Sequence, residues 1–404
     1  MSKFHNNSTN GLFSNLSTTS PLISSANITS TIWRPISPVN VTHLVNSSVD
    51  VDLLENVSMY LWIVVSPILF VVGVIGNVLT IGVLKQMKFQ KKSPLFFLFV
   101  LALCDIMVLC VGLSRYWIKE TFSLDIRALS DFGCKFNLFF IYWSMQLSSW
   151  VFVCVVLERC IKSNFPYRYP RIVTIPRCIS LVFLLMFILA GVDMHYFWTN
   201  GLIPDGPEWE CNSLTDAYGN FEEFVFTYVD FTVLSVVPSL LLIVMNATII
   251  RVIRHSRKFR KSTIWDKRTY KKLKRLDTRL TRMLVYTSVY FLMTTLPISI
   301  YFIVDSYEKD LNDLGKAKMH VVWSTAYLFQ FTNYTLKSCL YSFTNRDFRR
   351  KAMGLITCKL TKQERKSKKD LIYTVSTTET PFESEDSKSS EDLEESIVII
   401  SDKL

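Results

Sequence analysis

"YLWIVVSPILFVVGVIGNVLTIGVL", residues 60–84, runs for 25 residues without a charged side chain. At 1.5 Å per residue it spans about 37 Å as a helix, more than the roughly 30 Å of hydrocarbon in a bilayer. Uncharged or singly charged stretches recur at 94–114, 136–157, 178–192 continuing through HYFW, 224–250, 283–304 and 319–336. Seven such stretches predict an all-α membrane protein: a seven-transmembrane helix bundle followed by a short amphipathic helix after span seven. The competing reading is a large soluble α protein with buried core helices, and seven helices of membrane length weigh against it.

The net charge of +11 would suggest a nucleic-acid partner if it were spread over a soluble domain, but it follows the loops. Lys85, Lys88, Lys91 and Lys92 lie between spans one and two, Lys162, Arg168, Arg171 and Arg177 between three and four, and the densest run, Arg251 to Arg282, between five and six. By the positive-inside rule these loops and the C-terminus face the cytoplasm, which places the N-terminus outside a plasma-membrane protein. The opposite side agrees, because Cys178 to Ile250 holds no Lys or Arg while Asp193, Asp205, Glu208, Glu210, Asp216, Glu222 and Glu223 are acidic. The lipid bilayer is therefore a partner and nucleic acid is not.

Residues 1–59 are rich in Ser, Thr and Asn, with Asn-x-Ser/Thr acceptors at Asn6, Asn7, Asn15, Asn27, Asn40, Asn46 and Asn56. They predict an extracellular, glycosylated, disordered tail. No charged segment with a short apolar core precedes it, so span one is expected to direct insertion itself. The remaining divisions are 60–344 for the bundle, 345–358 for a helix on the membrane surface and 359–404 for a disordered cytoplasmic tail.

Topology sorts the nine cysteines. Cys104, Cys110, Cys154 and Cys339 fall within spans, and Cys160, Cys178 and Cys358 at or beyond cytoplasmic ends. Cys134 and Cys211 face the oxidising side, so a disulfide is expected between them. In NRDFRRKAMGLIT, Phe348, Ala352, Leu355 and Ile356 share a helical face, and Cys358 beyond them is a candidate for palmitoylation; an unmodified tail cysteine is the alternative.

Cys134 and Arg159 are 25 residues apart, so on one helix they lie at opposite membrane surfaces. With Glu158 beside Arg159, the chain from about 60 to 358 resembles the rhodopsin-like (class A) G-protein-coupled receptors. The landmarks occur in order: GNVLT at 76–80, LALCD ending at Asp105, Cys134, ERC at 158–160, Pro238 in span five, Phe291 and Pro297 in span six, and Tyr341 in span seven. The resemblance implies that Glu158 holds Arg159 at rest, and that activation frees the arginine as span six swings outward to admit a heterotrimeric G protein. It also implies a receptor, with no enzyme activity, cofactor or metal. Pro238 and Pro297 remove backbone hydrogen bonds and predict bends.

Several positions depart from the family pattern. Span four has ISLVFLLMF where a tryptophan is usual, Thr295 stands in place of the span-six tryptophan, and Asn246 replaces a span-five tyrosine. Span seven reads LKSCLY in place of Asn-Pro-x-x-Tyr, so Lys337 and Ser338 replace Asn and Pro. A lysine inside a span costs roughly 2.5–3.5 kcal/mol, so it needs a partner. By family likeness Asp105, Ser148 and Asn333 line a polar pocket opposite span seven, and Lys337 is expected to set its ammonium against Asp105 as a tethered cation. The alternative is a lysine that snorkels to the inner headgroups.

Within the family an amine ligand would require an aspartate high in span three, where LFFIYWSMQ (138–146) has no acid, and a retinal pigment would require a lysine higher in span seven. The outer ends offer aromatics with charges of both signs: Arg115, with Tyr116 and Lys119, on span two; Tyr142 and Met145 on span three; Asp230 on span five; Phe302 and Asp305 on span six; Trp323 and Tyr327 on span seven. That mixture suits an extracellular peptide, most simply a neuropeptide. Arg115 would meet a carboxylate or carbonyl and Asp230 a ligand arginine; for each, pairing within the protein is the alternative. The tail segment TVSTTETPFESEDSKSSEDLEES predicts phosphorylation by a receptor kinase and docking of an arrestin. Two other readings stay open: a receptor-fold scavenger or weakly signalling receptor, and a transporter, which would show internal repeats and polar midplane helices.

Overall fold

Pro38 and Pro67 bracket a stretch free of proline and glycine, and the first helix, Val39–Gln86, starts directly after Pro38. This computed structural model describes residues 39–91, 93–206, 208–263, 267–308, 311–344 and 346–357. Residues 39–59, assigned to the tail in the sequence analysis, are helical and continuous with span one; nothing in that stretch breaks the helix that span one propagates upward. Asn6, Asn7, Asn15 and Asn27, the side chains of Asn40, Asn46 and Tyr341, and all of Cys358 and the 359–404 tail lie outside the described residues. Asn56 is exposed on the helix.

Six helical stretches among the described residues are long and apolar enough to cross a membrane: Val49–Gln86, Ser93–Phe122, Asp131–Asn164, Ile175–Thr199, Asp216–His255 and Leu284–Tyr307, here spans one to six. The seventh helix, Asp313–Thr344, is long enough but more polar, because Ser324, Gln330, Asn333, Thr335 and Lys337 are buried in it. It is held by protein on its inner face as well as by apolar composition. Apolar side chains left exposed, among them Phe187 at 78% and Val64 at 54%, form the outer, lipid-facing surface of the bundle. The chain divides into two units, Met1–Met353, which contains the bundle, and Gly354–Leu404. The helix Arg346–Ile356 follows span seven, with Phe348 buried.

Span three is the central element, packing on spans two, four and five. Its start is capped by Ser130 Oγ, which accepts from the Gly133 N–H at 2.9 Å. Above it lies a feature the sequence analysis did not anticipate, an antiparallel hairpin of Asn200–Asp205 (β1) and Glu208–Ser213 (β2) turning through Gly206 at φ +59°. Leu202 faces Cys211 in the register, and its N–H donates to Asp131 Oδ1 at 3.2 Å. The Cys134–Cys211 disulfide, with Cα atoms 5.5 Å apart, ties that hairpin to span three.

Polar bonds sew the remaining helices together. Asn77 Nδ2 on span one donates to the Tyr334 carbonyl on span seven at 3.1 Å, and Ser58 Oγ and Trp62 Nε1 both reach Ser324 Oγ, at 2.5 and 3.0 Å. Asn246 Nδ2 donates to Ser288 Oγ at 2.8 Å, and Ser235 pairs with Ser299 at 2.7 Å, linking spans five and six. Pro238 follows a π turn, Phe231–Val236, which accommodates its missing N–H, while Pro297 lies within the continuous helix Lys267–Tyr307.

Span two contains another π turn, Leu109–Leu113, where Gly112 lets span three come close. A Cβ there would run into Ile141 Cδ1 and lie 3.2 Å from Phe331. Gly112→Ala should therefore lower stability by about 1–3 kcal/mol. Gly191→Ala, where a Cβ meets nothing within 4 Å, should hold or raise it. Thermal unfolding of both variants in detergent checks the contrast.

Candidate functional site: a buried ion pair and two outer clusters

The middle of the bundle carries charge. Asp105 sits one residue-turn before the span-two π turn, Ser148 faces it from span three, and Lys337 approaches from span seven. Lys337 Nζ donates to Asp105 Oδ1 at 3.1 Å and to Ser148 Oγ at 2.9 Å, while Ser148 Oγ donates to the same carboxylate oxygen at 2.6 Å. Both charged side chains are 1% exposed, which excludes the snorkelling alternative. Lys337 Nζ also lies 5.0 Å from the Tyr334 ring centroid and 5.9 Å from that of Phe152. Asn333 is one turn away on the same helix and fully buried, and among the described residues neither its amide atoms nor Asp105 Oδ2 has a hydrogen-bond partner. These atoms leave room in the hydrogen-bond network for water.

Phe291 is fully buried and packs against Phe152 at 6.0 Å between centroids, directly beside the lysine's aromatic surroundings. Thr295, in the place of the family tryptophan, is buried with its hydroxyl unbonded. At the end of span three away from the disulfide, Arg159 Nε lies 3.4 Å from Glu158 Oε2. The closer partner of Glu158 is one that the sequence analysis missed: Tyr169, on the short helix Tyr169–Ile172, donates its hydroxyl to Glu158 Oε1 at 2.5 Å. Burial and that bond push the Tyr169 phenol above its ordinary range, so it remains a donor.

The seven expected ligand residues divide between two clusters at the outer half. One is an aromatic box of Trp62, Tyr116, Trp323 and Tyr327, with Trp62 stacked on Tyr116 at 4.6 Å and Phe302 edge-on to Tyr327 at 6.2 Å. Met145 is buried in the same core. The Arg115 guanidinium lies 4.0 Å over the Tyr116 ring and 3.5 Å from Asp125 Oδ2. Arg127 holds the same carboxylate more closely, at 2.7 Å, so Arg115 keeps most of its donors for other use. The second cluster holds Tyr142 and Asp230 with Tyr196 and Phe226; Asp230 Oδ1 accepts from Gln146 Nε2 at 3.0 Å. Trp62 and Gln146 escaped the sequence analysis, which counted Asp193 only among the acids of the outer side, although a lone Gln and a lone Asp inside apolar spans are a usable signal.

Burial alone would raise the Asp125 carboxyl, but the bonds and charge of Arg127, and then of Arg115, hold it well below the usual carboxylate range. A depressed carboxyl stabilises the fold above its unfolded pKa of about 3.9, and that contribution is lost as pH falls toward the folded value. Asp125→Asn should therefore lose less stability than the wild type when unfolding is followed from neutral pH down to acid.

Removing one member of a buried pair strands the other. Lys337→Ala should cost roughly 3–5 kcal/mol, and Asp105→Asn combined with Lys337→Ala should recover most of it. Thermal unfolding and surface expression of the two single variants and the double variant measure the coupling; additive losses would refute it.

Residues 76–340, more than half of the chain, match the family model of the 7 transmembrane receptor (rhodopsin family). Human neuromedin-U receptor 2 is 28% identical over 42% of this chain and 43% of its own length. The Caenorhabditis elegans neuromedin U receptor homolog nmur-2 is 24% identical over 61% and 65%, and mouse adenosine receptor A2b is 24% identical over 72% and 87%. The alignments with the two neuromedin-type relatives thus span less than two thirds of those proteins. Together with the seven-helix bundle, the disulfide at the top of span three and the Glu158-Arg159 pair at its base, the match identifies this multi-pass membrane protein as a receptor that belongs to the rhodopsin family.

Proposed function

We infer that the chain is a plasma-membrane receptor for an extracellular peptide, most simply a neuropeptide, with its N-terminus outside and its C-terminus in the cytoplasm. It passes a conformational change to a heterotrimeric G protein, and phosphorylation of the 359–404 tail by a receptor kinase regulates it through arrestin. The observation that carries the ligand class is the aromatic box with Arg115 laid over Tyr116, a surface that can grip a chain by its side chains and meet a carbonyl or carboxylate terminus. The likeness to neuromedin-U receptors supports the same class.

Signalling runs through the centre. The Lys337 ammonium occupies the place where, by family resemblance, a mobile sodium ion would sit, so movement of span seven carries the cation with it. Glu158, shared by Arg159 and Tyr169, is the partner from which the arginine separates when span six moves. A second reading, a scavenger or weakly signalling receptor, draws on the same ion pair, since a carboxylate neutralised by a tethered cation can hold the resting state.

Expression of the full chain and a screen against a peptide library, with nucleosides included because of the adenosine-receptor likeness, tests both readings. Calcium, cyclic AMP and arrestin recruitment are read in parallel. A peptide agonist that drives a second messenger is the expected result; arrestin recruitment without any G-protein response selects the scavenger reading. Agonist affinity should be unchanged when sodium chloride replaces choline chloride at constant ionic strength.

A further inference from the structure

Between spans three, four and five lies a second polar cluster buried in the bundle. Gln146 Nε2 donates to Asp193 Oδ1 at 3.1 Å and to Asp230 Oδ1 at 3.0 Å, which uses both amide hydrogens. Gln146 and Asp193 are 0% exposed and Asp230 is 8% exposed. The chain has no Lys or Arg from Cys178 to Ile250, and among the described residues neither carboxylate has a basic partner within ion-pair distance. Among the described residues, Asp193 Oδ2 and Gln146 Oε1 are buried without a hydrogen-bond partner. What these two side chains leave unsatisfied is therefore an acceptor. Two carboxylates on one neutral amide at low dielectric repel each other unless a proton or a cation lies among them.

Each of the three residues has an aromatic side chain one helical turn nearer the outer surface: Tyr142 above Gln146, Tyr196 above Asp193, and Phe226 above Asp230. These rings pack on one another, with centroids 5.0 Å apart for Tyr142 and Tyr196, 5.6 Å for Tyr142 and Phe226, and 5.3 Å for Tyr196 and Phe226. The His195 ring closes the group, 4.2 Å from both Tyr196 and Phe226. Aromatic faces flank a cation without competing for its hydrogen bonds.

We propose that Asp193, Gln146 and Asp230 form a recessed anchoring site for a guanidinium or ammonium group of the extracellular ligand, covered by the packed rings of Tyr142, Tyr196 and Phe226, which part to admit it. A guanidinium suits it best, because its planar fork can reach both carboxylates and the Gln146 oxygen together. Occupation would draw spans three, four and five onto one charge, coupling ligand binding to the helices that flank the Glu158-Arg159 end. This inference rests on the reading of the chain as a peptide receptor and adds which ligand charge is read and where.

The test is thermal unfolding of the purified full-length receptor in detergent with Nα-acetyl-L-argininamide, its neutral isostere Nα-acetyl-L-citrullinamide (below, argininamide and citrullinamide), or sodium chloride as probes. Concentrations run to about 10 mM, because a few kcal/mol of contact energy corresponds to a roughly millimolar Kd. Argininamide should raise the melting temperature while citrullinamide does not, and its apparent affinity should fall at least about tenfold in Asp193→Asn and in Asp230→Asn, the equivalent of one charged contact. The absence of any argininamide shift, an equal shift with citrullinamide, or a shift unchanged in both variants overturns the proposal. A variant-sensitive shift produced by sodium chloride alone also overturns it, making the cluster an inorganic cation site. If neither variant folds, the comparison of argininamide with citrullinamide on the wild type still decides. The peptide screen is independent: an agonist with no basic group keeps the receptor function and removes this site, whereas an argininamide shift without any peptide response does the reverse.

Discussion

A lysine ammonium and an aspartate carboxylate, each 1% exposed, meet 3.1 Å apart where spans two, three and seven converge. Either charge alone in that interior would be prohibitive, and together, with Ser148 bridging them, they satisfy each other. The pair also governs composition. Because span seven delivers its lysine to a protein interior, the span can afford buried Ser324, Gln330, Asn333 and Thr335, and it need not be as apolar as its neighbours.

Span seven must then be held in register, since a shift of one residue would turn Lys337 about 100° away from Asp105. Span one does this along its length, through Ser58 and Trp62 to Ser324 near the top, Thr335 Oγ1 to the Leu69 carbonyl at 3.2 Å, and Asn77 to the Tyr334 carbonyl. Extension of the first helix above residue 60 serves the upper part of that clasp, because Ser58 would otherwise belong to a tail. Span three supplies the other fixed reference, pinned outside by Cys134 and the hairpin and packed on three neighbours.

Polar groups inside the bundle thus fall into two kinds. Around Lys337 opposite charges balance. Around Gln146 they do not, and two acids face one amide with only acceptors to spare. In the first arrangement the charges balance within the chain; the second balances only with a proton or a cation. They lie at similar depth on opposite sides of span three, where Ser148 and Gln146 are two residues apart, one beside Phe152 and Phe291, the other beneath a layer of rings one turn nearer the outer surface.

The sequence by itself determined the class of fold, the topology of charge, the cysteine pair that can form a disulfide and the demand that Lys337 have a partner. Those follow from hydrocarbon thickness, the positive-inside rule, compartment chemistry and the cost of a buried charge, all of which act on residues one at a time or at fixed spacing. Only the tertiary structure decided which side chains share a neighbourhood. Asp193 and Asp230 are far apart in the chain and meet through Gln146 on a third helix, Tyr169 reaches Glu158 from the loop after span three, and Trp62 enters the outer aromatic box from span one. Such contacts depend on helix rotation and on close approaches like that at Gly112, set by packing across the bundle, which no local pattern of residues encodes.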